Sequence, residues 1–145
     1  MIYTRITEEL GYLIKEVQQD LRKRMDKTLS TIGLTTPQYA VLSQLRESPG
    51  LSNAELARKS FVTPQTMNLI IKNLEERKLV VRIASSSHGK IIKTEVTNSG
   101  IDLIEKGNEL IFEVEEIIFG KLSQDESMKL QKILKKIKNA VLTRT

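Results

Sequence analysis

The chain has 145 residues, 39% apolar and 28% charged, with a formal net charge of +5. Those proportions fit a globular protein whose core needs no disulfide or metal staple. With no cysteine and one histidine, thiolate chemistry, disulfides and imidazole metal clusters are excluded and a Ser/His/Asp arrangement has a single imidazole to draw on, so no metal, no cofactor and no enzymatic activity are expected.

Met1 to Leu10 carries Arg5, Glu8 and Glu9 where a signal peptide would be apolar, and no apolar run approaches the roughly 18 residues that cross a bilayer. A cytoplasmic protein with no membrane partner is expected. Ile6, Leu10, Leu13, Ile14, Val17, Leu21, Met25, Leu29 and Ile32 recur at spacings of three and four, which predicts one long amphipathic helix ending near Gly33. Its length of roughly 40 Å exceeds what a small domain needs to cover its own core. Thr36-Pro37 predicts the start of a second helix, capped by Thr36 and running to about Glu47 before Pro49-Gly50.

Ser52-Asn53-Ala54-Glu55 fits a capping box opening a short helix to about Ser60. Thr63-Pro64 opens another, to about Arg77. Two helices joined by so few residues read as a helix–turn–helix. Two β-branched runs, Val80 to Ile83 and Ile91 to Val96, flank Ser85-Ser86-Ser87-His88-Gly89-Lys90 and predict a β-hairpin. Thr97 caps a long helix up to Gly120, and Ser123-Gln124-Asp125-Glu126 forms a second capping box before a last helix carrying Leu130, Ile133, Leu134, Ile137 and Val141.

The positive charge is local. Between Arg58 and Thr97 stand eight bases and three acids, whereas the segments before and after each balance. A cationic face of this kind suits a polyanion, or is an unevenly charged solvated surface. On the helix from Pro64 to Arg77, Met67, Ile70, Ile71 and Leu74 share one side, with Gln65, Asn68, Leu69 and Lys72 on the other. Asn and Gln bond adenine, Lys meets guanine or phosphate, and Leu69 or the Thr66 methyl can touch a thymine methyl, all within a major groove. The alternative for Gln65 and Asn68 is a wet polar face. Ser52 and Thr63 combine plain capping with amides free for phosphate. Arg82, His88, Lys90 and Lys93 on the hairpin would reach phosphates or a minor groove. His88 lies at the tip, where exposure or DNA contact is favoured over metal binding.

Leu34-Thr35-Thr36-Pro37-Gln38-Tyr39-Ala40-Val41-Leu42, Leu51-Ser52-Asn53-Ala54-Glu55-Leu56-Ala57, Thr63-Pro64-Gln65-Thr66-Met67 through Leu74-Glu75-Glu76-Arg77-Lys78-Leu79-Val80, and Val96-Thr97-Asn98-Ser99-Gly100 stand in order with the right spacings. Over nearly its full length the chain resembles the MarR family of bacterial winged-helix transcriptional regulators. The resemblance implies a mainly α fold with a small β-hairpin wing: a winged helix-turn-helix DNA-binding lobe over residues 35–97, and a helical dimerisation lobe from the N- and C-terminal helices, residues 1–34 and 98–145. It implies a homodimer on a pseudo-palindromic operator, acting as a repressor released by a small, often aromatic, ligand between the lobes. Tyr12, Tyr39 and Phe112 are candidates for such a cleft, though aromatic residues at helical spacing also serve as core.

Two departures stand out. The family's wing tip carries an Asp followed two residues later by Arg, where this chain has His88 and Lys90, and Lys does not reproduce a bidentate guanidinium. The family also places Gly after the reading helix, where this chain has Lys78; a left-handed backbone there would cost Lys about 1 kcal/mol. A protein-docking winged helix without DNA specificity is the rival reading, opposed by the clustered charge. Glu75-Glu76 and Glu115-Glu116 point about 100° apart on helices and suit no carboxylate pair.

Overall fold

In the computed structural model, which describes residues 2–84 and 91–142, the chain runs α1 (Ile2–Ser30), α2 (Thr36–Glu47), α3 (Asn53–Lys59), α4 (Pro64–Glu76), β1 (Val80–Ala84), β2 (Ile91–Val96), α5 (Asn98–Phe119) and α6 (Gln124–Leu142). That order is the one expected. The helix starts follow from side-chain oxygens that accept otherwise unbonded amides. Ser52, Thr63 and Thr97 accept the N–H groups of Glu55, Thr66 and Gly100. Ser123 and Glu126 close a reciprocal box, with each backbone N–H bonded to the other's side chain.

Two caps differ from the sequence reading. Thr35, not Thr36, caps α2: its backbone is extended, its hydroxyl accepts the Gln38 N–H, and Gln38 Oε1 accepts the Thr35 N–H at 3.0 Å. Thr36 is already helical and donates its hydroxyl to Asp26 of α1 instead. At α3, the Ser52 hydroxyl donates to the Glu55 carboxylate at 3.0 Å, so the expected box is one-sided.

Three helices end alike. Leu34, Val62 and Leu79 donate back to Leu29, Ala57 and Leu74, while Gly33, Phe61 and Lys78 donate to Ser30, Arg58 and Glu75. This paired closure turns the residue after the helix left-handed and directs the next, apolar residue inward. The φ values are +74° at Gly33, +58° at Phe61 and +59° at Lys78. Glycine adopts that conformation freely; a side chain there costs roughly 1 kcal/mol or more.

The core lies where α2, α3 and α4 meet α1, α5 and the strands. Val41, Leu42, Leu45, Leu56, Met67, Ile71 and Leu74 are almost completely buried, with Leu29 and Ile104 closing it from α1 and α5. Each such side chain contributes about 1.5–3 kcal/mol relative to exposure. The hairpin β1–β2 is antiparallel, pairing Val80 with Val96 and Arg82 with Thr94, and its register shifts at Ile83/Ala84. Thr97 then donates to the Lys78 carbonyl at 2.7 Å, and a Cβ on Gly100 would lie 2.3 Å from the Leu79 oxygen. Glycine at that position is therefore what lets α5 start directly on the α4–β1 junction.

The outer helices are different. Leu10, Leu13, Ile14 and Val17 of α1 and Ile133, Ile137 and Val141 of α6 are 45–63% exposed, and of α6 the single sheltered side chain among the described residues is Leu130. Amphipathic stripes are present, yet the chain does not cover them itself. Among the described residues no helix is long and apolar enough to cross a membrane, and no group of three or more His, Asp or Glu is placed to hold a metal.

Lys78→Gly removes the left-handed strain while leaving both closing backbone bonds intact. It is expected to raise the unfolding free energy by about 0.5–1 kcal/mol, measured as a shift in urea midpoint at constant m-value.

Candidate nucleic-acid interface

α4 turns its apolar residues inward and thereby fixes what faces out. Met67, Ile71 and Leu74 are buried and Ile70 is half-buried, while Pro64, Gln65, Thr66, Asn68, Leu69 and Lys72 are exposed. Leu69 is 69% exposed and stands among the polar side chains of that outward face. The six form one surface beginning at the helix N-terminus, where backbone amides carry partial positive charge.

Their hydrogen bonds distinguish them. Gln65 and Lys72 have no partner among the described residues. Asn68 accepts from Asn53 Nδ2 at 2.6 Å, which ties the first turn of α3 to α4 and leaves the Asn68 amino group as the outward donor. The Asn68 oxygen keeps a second lone pair, so a bidentate adenine contact, Nδ2 donating to N7 and Oδ1 accepting from N6, is compatible with the bond from Asn53. Thr63 and Ser52 are both engaged in capping, with Thr63 Oγ1 also 3.0 Å from Thr66 Oγ1. Each cap engages one amide, that of Glu55 or of Thr66, and the earlier amides of the first turns, such as those of Ala54 and Gln65, are what a phosphate can meet.

Arg82 lies between wing and reading helix. Its side chain is 25% exposed and its Nε stands 3.6 Å from a Glu75 carboxylate oxygen, so it braces β1 against the end of α4. Lys93 is paired with Glu95 at 2.7 Å. His88 and Lys90 lie outside the described residues.

The three aromatic candidates are not brought together. Tyr39 packs its ring on Gly107, where a Cβ would lie 2.7 Å away, and donates its hydroxyl to Asn108. Burial pushes its phenol up, keeping it protonated as that donor. Tyr12 and Phe112 are 65% and 63% exposed on the outer faces of α1 and α5. A groove of about 580 Å³ instead opens between α1, α2 and α4, with Arg22, Asp26, Gln38, Leu69 and Asn73 among its walls. Gln38 Nε2 donates to Asn73 Oδ1 across it at 3.0 Å. The Thr-x-x-Gln box at Thr35 would have revealed half of the Gln38 role; the bond to Asn73 depends on how α2 docks on α4.

The MarR family model matches residues 32–91. The HTH-type transcriptional repressor Rv2887 of Mycobacterium tuberculosis is 35% identical over 128 residues, 88% of this chain and 92% of the relative. The chain belongs to the MarR family. The crystal structure of MarR family protein Rv2887 in complex with p-aminosalicylic acid superposes with a TM-score of 0.77 at 34% identity, covering 88% of this chain and 97% of that one. The same protein in complex with DNA gives 0.76 at 32% identity, over 88% and 96%. This MarR family chain thus keeps the winged-helix frame while carrying Lys78, left-handed, after its reading helix.

Asp26 ties α1 to α2. The Thr36 hydroxyl, aided by Arg22 at 3.1 Å, holds its carboxyl below the ordinary 3.8 despite some desolvation. A carboxyl depressed in the folded state stabilises it above the unfolded value, and that contribution is lost as pH falls through the folded value. Asp26→Asn is expected to flatten the stability loss below about pH 4 relative to wild type, followed by urea unfolding between pH 6 and 3.

Proposed function

We propose that this chain is a sequence-specific double-stranded DNA-binding transcriptional regulator, a repressor that occupies an inverted-repeat operator as a homodimer. The observation that carries the reading is the outward face of α4: Gln65, Asn68, Leu69 and Lys72 on a helix whose other face is sealed into the core. Residues 35–97 read DNA, and residues 1–34 and 98–145 pair two copies. The uncovered apolar stripes of α1 and α6 are the surface a second copy buries. Charge supports the same pairing: α5 carries six acids against Lys106, whereas α6 beyond Glu126 carries five lysines and no acid. A two-fold dimer sets its reading helices about 34–36 Å apart, one DNA turn.

Relatedness to a repressor, and to a protein crystallised with DNA and with p-aminosalicylic acid, supports an effector that is a small aromatic acid. The groove between α1, α2 and α4 offers the Leu69 side chain and an Arg22 guanidinium that is held through Nε by Asp26, its terminal N–H groups being the donors a carboxylate on a ring would meet. No step in this function needs bond chemistry, a cofactor or a membrane, and the site of action is the cytoplasm. A docking module without DNA specificity has no use for the local excess of positive charge.

Operator fragments selected from the source genome supply the test. Asn68→Ala is expected to cost about 1–3 kcal/mol in operator binding and to relax choice at one base pair per half-site. Lys90→Ala is expected to weaken all sequences alike and lower the salt slope by about one. Fluorescence anisotropy across a salt series separates the two. A monomeric wild type, or one without preference among duplexes at moderate ionic strength, overturns the reading.

A further inference from the structure

Phe61 occupies the turn between α3 and α4 with φ of +58°, and it is 95% exposed. Backbone sterics and water both oppose a phenyl group placed so. The fold gains nothing from the ring. The bonds closing α3 come from the backbone of Phe61 and Val62, and it is Val62 that packs on the core. Glycine would make the same bonds without strain, as Gly33 does at the end of α1.

Position narrows the use. Phe61 is not on α1 or α6, whose apolar stripes are assigned above to a second copy. It follows α3, which packs on α2 and α4. Its neighbours are the exposed cations Arg58 and Lys59 and the α4 cap Thr63. Phe61 therefore stands two residues before the N-cap of the helix assigned to DNA and two residues after the exposed Lys59. On a duplex, the group matched to an apolar side chain beside a reading helix is the thymine 5-methyl.

We propose that Phe61 is a further specificity-determining residue, packing its ring on a thymine methyl at one edge of each half-site. This rests on the DNA-binding reading above. The full chain is titrated by fluorescence anisotropy against its selected operator and against duplexes in which each thymine in turn is replaced by uracil, which removes only the methyl. Wild type is expected to lose about fivefold at one position per half-site. Phe61→Gly is expected to melt at a higher temperature than wild type, yet to bind the thymine operator about fivefold more weakly and to ignore the uracil substitution at that position. Phe61→Asn, which also tolerates left-handed backbone, is expected to behave likewise, and Phe61→Leu to retain part of the discrimination.

Operator affinity unchanged in Phe61→Gly, or weakened equally on thymine and uracil duplexes, overturns the proposal while leaving the DNA-binding reading in place. Wild type without sequence preference overturns both.

Discussion

The burial of one side of α4 is the constraint on which everything else depends. Met67, Ile71 and Leu74 are withdrawn from water among Val41, Leu42, Leu45 and Leu56. A helix of 13 residues sealed along that stripe has no rotational freedom left, so Gln65, Asn68, Leu69 and Lys72 must face outward. Specificity in such an arrangement is a packing property before it is a hydrogen-bonding one. A rigid helix presents side chains to a groove without further cost of ordering the backbone on binding.

The second constraint is how the helices stop. Paired closing bonds at α1, α3 and α4 let each chain reversal place Leu34, Val62 or Leu79 against the core, which is how segments of seven to 29 residues reverse without loose loops. Glycine at Gly33 announces this in the sequence. Phe61 and Lys78 conceal it, since neither residue type signals a left-handed backbone. The expectation about Lys78 came from a family pattern rather than from its own chemistry; Phe61 had no such guide. Both sit beside the surface that reads DNA, where local strain is tolerated if the side chain is used.

Element order, helix faces and all but one of the N-caps were legible because they depend on residues three or four apart. Thr36-Pro37 offers the same chemistry as Thr35 one residue later; Gln38, three residues after Thr35, and the docking of Thr36 on Asp26 separate them. The cross-links Asn53–Asn68, Gln38–Asn73 and Arg82–Glu75 were not legible at all. Two of them join consecutive elements, α3 to α4 and α4 to β1, and the third joins α2 to α4, but each pairing is set by packing that periodicity does not encode. Charge read in thirds had the same weakness: a balanced last third hides an acidic α5 and a basic end of α6.

Those cross-links also connect the two halves of the function. Asp26 of α1 receives Thr36 of α2, Thr35 and Gln38 close the same helix start, and Gln38 reaches Asn73 on the reading helix. The groove beside them is walled by α1, α2 and α4 together, so a molecule lodged there touches the pairing helix and the reading helix at once. It shifts the operator equilibrium only to the extent that it fits one relative placement of these helices better than another. Because α4 is fixed in its own lobe by its buried stripe, such a shift moves the whole reading surface as a body, and a change in spacing between two copies is then sufficient to lose the match to successive turns of DNA.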